Sequence, residues 1–332
     1  MVAGNDDAVT FIAFLLLNFS ENINGGEEMS RKKSYAFLSL IFLLAYQTFI
    51  SRALSAIQTT QEKSEEKPEV ISLLGKKLYA TPATGEELAK LEDDLKEAML
   101  KVEADPENPE NLILYGRRLA SLWRFHEAIK VFTKGIENFP GNAMLYRHRG
   151  HRYISIRQFD KAAADLTKAS QLNDHDFDIW YHLGLAHYLK GEFEKALSAY
   201  QNCHKFAEKD DSKIAISNWL YITLRRLGKK DEASKVLDGI TEKMEVVENK
   251  SYFNLLFFYK GKMSEEEISA LAIASELDMA TMGYGVGCWY LYNNDPEKAK
   301  AYFEKIVNTR YWPAFGFIAS EAELVRLQKS RK

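Results

Sequence analysis

Two histidines three residues apart are the side chains with the spacing closest to that of a metal or acid–base site. His148 and His151 share one face of a predicted helix, because residues three apart are neighbours on a helical surface. A metal site needs more ligands at the same point, but the flanking residues are Arg147, Arg149 and Arg152. These cations oppose the binding of a metal ion. We therefore expect no metal and no cofactor.

Other reactive motifs in the sequence are weak. The glycine-rich run 283–287 has the spacing of a phosphate-binding loop, but such a loop follows a strand, and this region is predicted to be helical. Cys203 and Cys288 do not form a disulfide framework, and we expect two buried thiols. The sequence has no Gly-x-Ser-x-Gly, His-Glu-x-x-His or Cys-x-x-Cys motif. We therefore predict no catalytic residues and no enzyme activity.

A single repeat period orders the elements that carry these residues. Glycine recurs every 34 residues, at Gly116, Gly150 and Gly184, and alanine follows twelve residues after each, at Ala128, Ala162 and Ala196. Thirty-four residues is the length of a helix–turn–helix repeat. Small residues are expected where the two helices of a hairpin cross, because a bulky side chain there would force them apart.

This pattern resembles the tetratricopeptide repeat family, of an exported bacterial type. The third unit matches the family's motif at Trp180, Leu183, Gly184, Ala196 and Tyr200. Gly287 and Ala299 fit the same slots in a last unit. The resemblance implies an all-α, right-handed superhelical solenoid of antiparallel helix pairs, with about five to six units.

The predicted organisation places the repeats at 109–310, after a leading helix of a partial repeat at 84–108 and a flexible, polar linker at 57–83. A capping helix is predicted at 311–328. Its apolar side chains are expected to cover the last hairpin, while Glu321, Glu323 and Arg326 face water, since a terminal repeat needs a polar outer face.

The N-terminal region has a different composition. Basic residues at 31–33 precede an apolar run at 35–50, and small residues follow at 53–56. This order is typical of a signal peptide, predicted at 29–56. An uncleaved N-terminal anchor is the alternative, with membrane contact only through residues 35–50, although the run is short for a bilayer span. Residues 1–28 are predicted to be a start-site overcall, and the protein is expected to be periplasmic, envelope-associated or secreted.

In the resembled family, the first helices of successive units line a concave groove that holds partner peptides or helices. The equivalent positions in this sequence are Arg117, Arg147, His151, Tyr181, Leu185 and Tyr188. Arginine pairs well with carboxylates and tyrosine offers contact area, so the groove suits an acidic partner with an apolar anchor. Alternatively, the arginines form a solvated helix face whose stems cover apolar surface.

The sequence thus favours a non-catalytic scaffold or adaptor that binds a protein or peptide partner outside the cytoplasm. The net charge of −3 gives no indication of nucleic-acid binding. The alternative is a structural subunit of a membrane-associated or envelope assembly, in which the aromatic segment 252–259 packs on another chain. An enzyme or a small-ligand-binding module is less favoured, because the sequence shows no paired acid and base.

Overall fold

The computed structural model describes residues 67–330 of the 332-residue chain. The predicted start-site overcall, signal peptide and anchor lie outside the described residues. A two-stranded antiparallel β-hairpin comes first, formed by β1 (Val70–Ile71) and β2 (Lys77–Leu78). This hairpin corrects the flexible linker predicted for 57–83, because residues within that range are ordered against the helical body.

Fourteen helices follow in the described part of the chain, and they confirm the all-α class. They are α1 Gly85–Ala104, α2 Pro109–Ser121, α3 Phe125–Asn138, α4 Ala143–Ser155, α5 Phe159–Leu172, α6 Phe177–Lys190, α7 Phe193–Lys205, α8 Asp210–Arg226, α9 Lys230–Asp238, α10 Lys250–Tyr259, α11 Glu265–Ala272, α12 Glu276–Tyr292, α13 Pro296–Ile306 and α14 Phe315–Ser330.

Helices α2 to α13 pair in chain order into six hairpins, and stacking of these hairpins builds the predicted solenoid. The first helices of hairpins one to three begin after Asn108, Asn142 and Asp176, which keep the 34-residue spacing. Each of these side chains accepts a hydrogen bond from a backbone N–H group of the following turn. Such caps satisfy donors that the helix itself cannot pair, so they fix where each repeat starts.

The repeated small residues lie where the two helices of each hairpin cross. A Cβ atom placed on Gly150 would lie 2.7 Å from Leu166 Cγ, and the Leu166 side chain is fully buried. Glycines of other hairpins face a large ring in the same way, in the pairs Gly116 with Phe132, Gly184 with Tyr200 and Gly287 with Phe303. The alanines of the series are completely buried, at Ala128, Ala162, Ala196 and Ala299.

The turn inside each hairpin places one residue in the left-handed backbone conformation. Glycine or asparagine serves in hairpins three to six, at Gly191, Gly228, Gly261 and Asn294. Hairpins one and two instead use Trp123 and Arg157, with φ of 57° and 63°. A left-handed residue with a side chain costs about 1–2 kcal/mol. Both side chains contact the C-terminal segment, residues 311–330. These contacts offset the cost of the left-handed conformation at the two positions.

The C-terminal segment lies against the first helices of the inner hairpins instead of only capping the last one. Trp312 packs edge-on against Trp123 with ring centroids 5.4 Å apart, and Phe315 packs on His151 of α4 at 5.2 Å. Further along, Arg326 donates hydrogen bonds to the carbonyl groups of Tyr188 and Leu189 at the end of α6.

Two ion pairs hold α14 in this position and correct the prediction that its polar residues face water. Glu321 accepts from Arg157 Nε and Nη2 at 3.0 and 3.1 Å, and their side chains are 1% and 3% exposed. Glu323, with a fully buried side chain, lies 3.0 Å from Arg226 and 2.8 Å from Arg326. Each carboxylate can be buried because it forms an ion pair with an arginine of a distant hairpin, Arg157 for Glu321 and Arg226 for Glu323.

The β-hairpin and the residue that follows it form further hydrogen bonds with the C-terminal part of the chain. Lys76 Nζ donates to the carbonyl of Val307 at 3.1 Å, and Trp312 Nε1 donates to the carbonyl of Tyr79 at 2.8 Å. The backbone N–H of His126 donates to Glu69. The hairpin therefore contacts both the first repeat and the C-terminal segment.

Replacing Gly150 by leucine tests the tight crossing of α4 and α5. We expect Gly150→Leu to lower the free energy of unfolding by about 3 kcal/mol, because the buried Leu166 cannot move aside. The matched control is Gly239→Leu, since a Cβ atom on this exposed glycine would have no neighbour within 4 Å. Urea unfolding followed by circular dichroism measures the free energy of unfolding of both variants. Equal losses of stability would contradict the tight crossing of α4 and α5 at Gly150.

The buried pair of Arg157 and Glu321 is tested by Arg157→Gly. Glycine relieves the left-handed backbone, but it leaves a buried carboxylate unpaired, which costs about 3–5 kcal/mol. We therefore expect a net loss of about 3 kcal/mol in the same unfolding assay. The double variant Arg157→Gly/Glu321→Leu should recover part of that loss; a double variant less stable than the single one would refute the pairing argument.

Candidate functional site

The six groove positions predicted from the sequence separate into two groups in the structure. Tyr181, Leu185 and Tyr188, all on α6, are between 0% and 7% exposed. The Tyr181 hydroxyl accepts a hydrogen bond from Trp219 Nε1 at 2.7 Å, and the Tyr188 hydroxyl accepts one from Tyr284 at 2.9 Å. Their predicted role in contacting a partner is corrected, because later helices of the same chain cover them.

The other three positions, Arg117, Arg147 and His151, line an open cavity of about 760 Å³. His148, Arg152 and Phe315 line it as well. We call the surface formed by these six residues the cationic pocket. Its wall comes from α2 and α4, the first helices of two neighbouring hairpins, and from the start of α14. The part of the predicted groove that stays open is therefore its cationic part.

Arg147 is the cation of the pocket that polar contacts with neighbouring side chains hold in place. Its Nη2 lies 3.0 Å from an Asp178 carboxylate oxygen, and its Nη1 donates to His148 Nδ1 at 3.0 Å. Its Nε is buried without a hydrogen-bond partner in the described chain. A neutral histidine that accepts at Nδ1 carries its hydrogen on Nε2. Both groups therefore present N–H donors rather than acceptors.

Arg117 and Arg152 differ from Arg147, because neither forms an ion pair with a carboxylate within residues 67–330. The Arg152 guanidinium lies over the Phe125 ring at 5.3 Å, a cation–π contact that does not neutralise its charge. The neighbouring Arg118, in contrast, pairs with Asp94 at 3.2 Å. Glu87 is the one carboxylate among the residues that line the cavity, and it is exposed.

The ionisation of the pocket follows from this excess of positive charge. Burial, followed by the nearby Arg147 and Arg117 guanidinium groups, lowers the pKa of Arg152 to about 9, so it remains a cation at neutral pH. Burial and the same kind of cationic neighbours lower the pKa of His148 to about 2 and that of His151 well below its usual value. The histidines are therefore neutral.

Three residues of the pocket were not among the predicted binding positions. His148 and Arg152 are four residues apart on α4, so helical spacing could have grouped them with Arg147 and His151. Phe315 could not have been found in this way, because it reaches the pocket from the C-terminal segment. Arg149, which belongs to the same basic run, points elsewhere and forms a bidentate pair with Asp165 of α5.

The described residues contain no group of three or more His, Cys, Asp or Glu side chains that could hold a metal ion. Over the same residues, no helix combines the length and the apolar character needed to cross a bilayer.

Six stacked helical hairpins define a superhelical repeat protein. The sequence model of the tetratricopeptide repeat matches residues 148–202, which cover the end of α4 through most of α7. This match supports, over residues 148–202, the tetratricopeptide repeat that the motif predicted.

Curated relatives match parts of this chain. The small glutamine-rich tetratricopeptide repeat-containing protein 2 of Saccharomyces cerevisiae is 30% identical over 92 residues, 28% of this chain and 27% of the yeast protein. BBSome complex member BBS4 of Bos taurus is 29% identical over 119 residues, 36% of this chain and 23% of the bovine protein. The chain thus spans about a quarter of the length of these relatives.

Among solved structures, YrrB, described as a TPR protein with an unusual peptide-binding site, is similar with a TM-score of 0.39 and 18% identity. The similarity covers 68% of this chain and 97% of YrrB.

Proposed function

We propose that this protein is a non-catalytic interaction scaffold that holds an acidic segment of a protein partner in the cationic pocket, outside the cytoplasm. The observation that carries the proposal is the pair of guanidinium groups, Arg117 and Arg152, that line an open cavity without a carboxylate partner in the described chain. Tetratricopeptide repeat proteins mediate protein–protein interactions, and BBS4 is by its name a member of a complex.

The energetic argument rests on charge compensation. Placing several cations together in a partly desolvated pocket is unfavourable, because each lacks both full hydration and a counter-charge. A carboxylate that enters the pocket supplies this counter-charge and can accept two parallel hydrogen bonds from one guanidinium group. The free energy released on binding therefore comes from relieving the repulsion between these cations.

The rim of the pocket favours a ligand that also carries an apolar side chain. Leu277 and Leu91 line the cavity from α12 and α1. Leu277 is 47% exposed, and Ile273, four residues earlier in the connection between α11 and α12, is 69% exposed. Apolar side chains that stay this accessible near a cavity mark contact sites more often than isolated ones do. The matching ligand has an acidic residue next to a leucine-like or aromatic residue.

The proposal of a non-catalytic role is supported by the state of the two thiols. Cys203 and Cys288 are fully buried, and burial raises the pKa of the Cys203 thiol above its usual value and that of Cys288 to about 12. A buried thiol with a raised pKa is a poor nucleophile.

The alternative role as a structural subunit is less favoured, because the middle of the segment that it would use is buried. In the aromatic segment 252–259, Leu255 and Leu256 are fully buried, and Phe257 and Phe258 are 9% and 8% exposed. These side chains pack inside the chain, as in the stacked rings of Tyr221 and Tyr259. We therefore favour the scaffold, and a monomer in light scattering after size-exclusion chromatography is the expected result.

The pocket is tested by anisotropy titrations of the full chain with a fluorescein-labelled peptide, Leu-Glu-Glu-Leu-Phe. We expect Arg117→Glu to weaken binding by about 2 kcal/mol, because it reverses one charge of the pocket. Arg117 is chosen because it is exposed, whereas Arg147 is paired with Asp178 and supports the fold. Added salt should weaken binding to the wild-type chain.

Two controls accompany this titration. Arg310→Glu reverses a charge on a side chain that is 87% exposed and does not line the pocket, so its affinity should match the wild type. A peptide with lysine in place of both glutamates should not bind. Equal affinity of the wild type and Arg117→Glu for the acidic peptide would place the site elsewhere.

Export is tested separately by fusing residues 29–60 to a reporter that is active only outside the cytoplasm. The basic residues, apolar run and small residues in this range have the order of a signal peptide, so we expect an active reporter. Replacing residues 31–33 by glutamates should abolish export. A reporter that remains in the cytoplasm would remove the compartment from the proposal without affecting the pocket.

A further inference from the structure

The two unpaired arginines point to a more specific ligand group. Resting on the proposed function, we propose that the anionic group held between Arg117 and Arg152 is a phosphate monoester, carried by a phosphorylated side chain of the partner segment.

The first argument is the number of charges to be neutralised. Three of the six residues that form the pocket carry guanidinium groups, and Asp178 neutralises one of them, Arg147. Arg117 and Arg152 remain, so a single carboxylate would leave one cation uncompensated. A phosphate monoester carries close to two negative charges at neutral pH. It therefore balances both arginines with one group.

The second argument is that these arginines line the same cavity. Arg117, Arg147 and Arg152 are all among its lining residues, and, after burial, the charges of Arg147 and Arg117 lower the pKa of Arg152. One tetrahedral group can then receive hydrogen bonds from more than one arginine. Two separate carboxylates bound to these arginines would repel each other.

The third argument is the kind of hydrogen-bonding groups at this point. Guanidinium groups are donors only, and the His148 ring, which accepts from Arg147 at Nδ1, carries its hydrogen at Nε2. Arg117, Arg152 and His148 thus present N–H groups, and a phosphate offers three acceptor oxygens to them. Arginine is also the residue best suited to planar, two-point contact with phosphate.

The proposal is tested by anisotropy titrations of the full chain with four fluorescein-labelled peptides. They carry phosphoserine, glutamate, serine or two glutamates between the same leucine residues. We expect the phosphoserine peptide to bind at least about tenfold more tightly than each of the others. Inorganic phosphate should compete with it, whereas chloride at the same ionic strength should compete less.

Two variants locate the phosphate in the pocket. Arg152→Gln and Arg117→Gln should each weaken binding of the phosphoserine peptide at least about tenfold, while Arg310→Gln, outside the pocket, should not. Arg152→Gln should keep or raise the Tm, since it removes a cation that has no carboxylate partner in the described chain. A lower Tm would identify Arg152 as a structural residue and overturn its assignment.

The outcomes separate this proposal from the function on which it rests. Equal or tighter binding of either glutamate peptide overturns the phosphate and leaves the acidic-segment scaffold standing. If none of the four peptides binds, both proposals fail. If free O-phosphoserine binds as tightly as the phosphoserine peptide, the phosphate group is recognised but a protein segment as its carrier is overturned.

Discussion

The buried ion pair between Arg157 and Glu321 is the contact on which the closed arrangement of this solenoid depends. It joins the turn of the second hairpin to the C-terminal helix, across 164 residues of chain. Arg157 holds a left-handed backbone conformation in order to reach it, where the later hairpins use glycine or asparagine. Loss of either side chain would leave an unpaired charge in the interior. The two charges are therefore compensated only when α14 packs in this position.

The position of α14 decides which part of the inner surface a partner can reach. A solenoid normally presents the first helices of all its units as one extended surface. Here α14 contacts the end of α6 through Arg326, and Glu323 meets Arg226 of α8. The third and fourth hairpins are thereby covered by the chain itself. The surface of α2 and α4, which carries the cations of the pocket, stays accessible. The packing of α14 therefore leaves a pocket where an extended groove would otherwise lie.

Local features of the fold could be predicted from the sequence, because they depend on residues close together in the chain. The crossings at Gly150 and Ala162 depend on one hairpin, and the capping box of α11 depends on two side chains three residues apart, Ser264 and Glu267. Glu321, Glu323 and Tyr188 are different. Their polar or exposed character was inferred from one helix face, but it is overridden by partners from distant hairpins. Helical periodicity describes a face and cannot tell what later covers it.

Some arginines of the described chain form ion pairs with carboxylates, whereas Arg117 and Arg152 do not. This difference supports a binding role for the pocket. Arg157, Arg226 and Arg326 meet buried carboxylates of α14, and Arg149 meets Asp165. A carboxylate near Arg117 and Arg152 would stabilise the fold in the same way, yet within the described residues neither has one. Charges left unpaired at one point, in a chain that pairs them elsewhere, cost stability. Such a cost is typical of sites that obtain their counter-charge from a ligand.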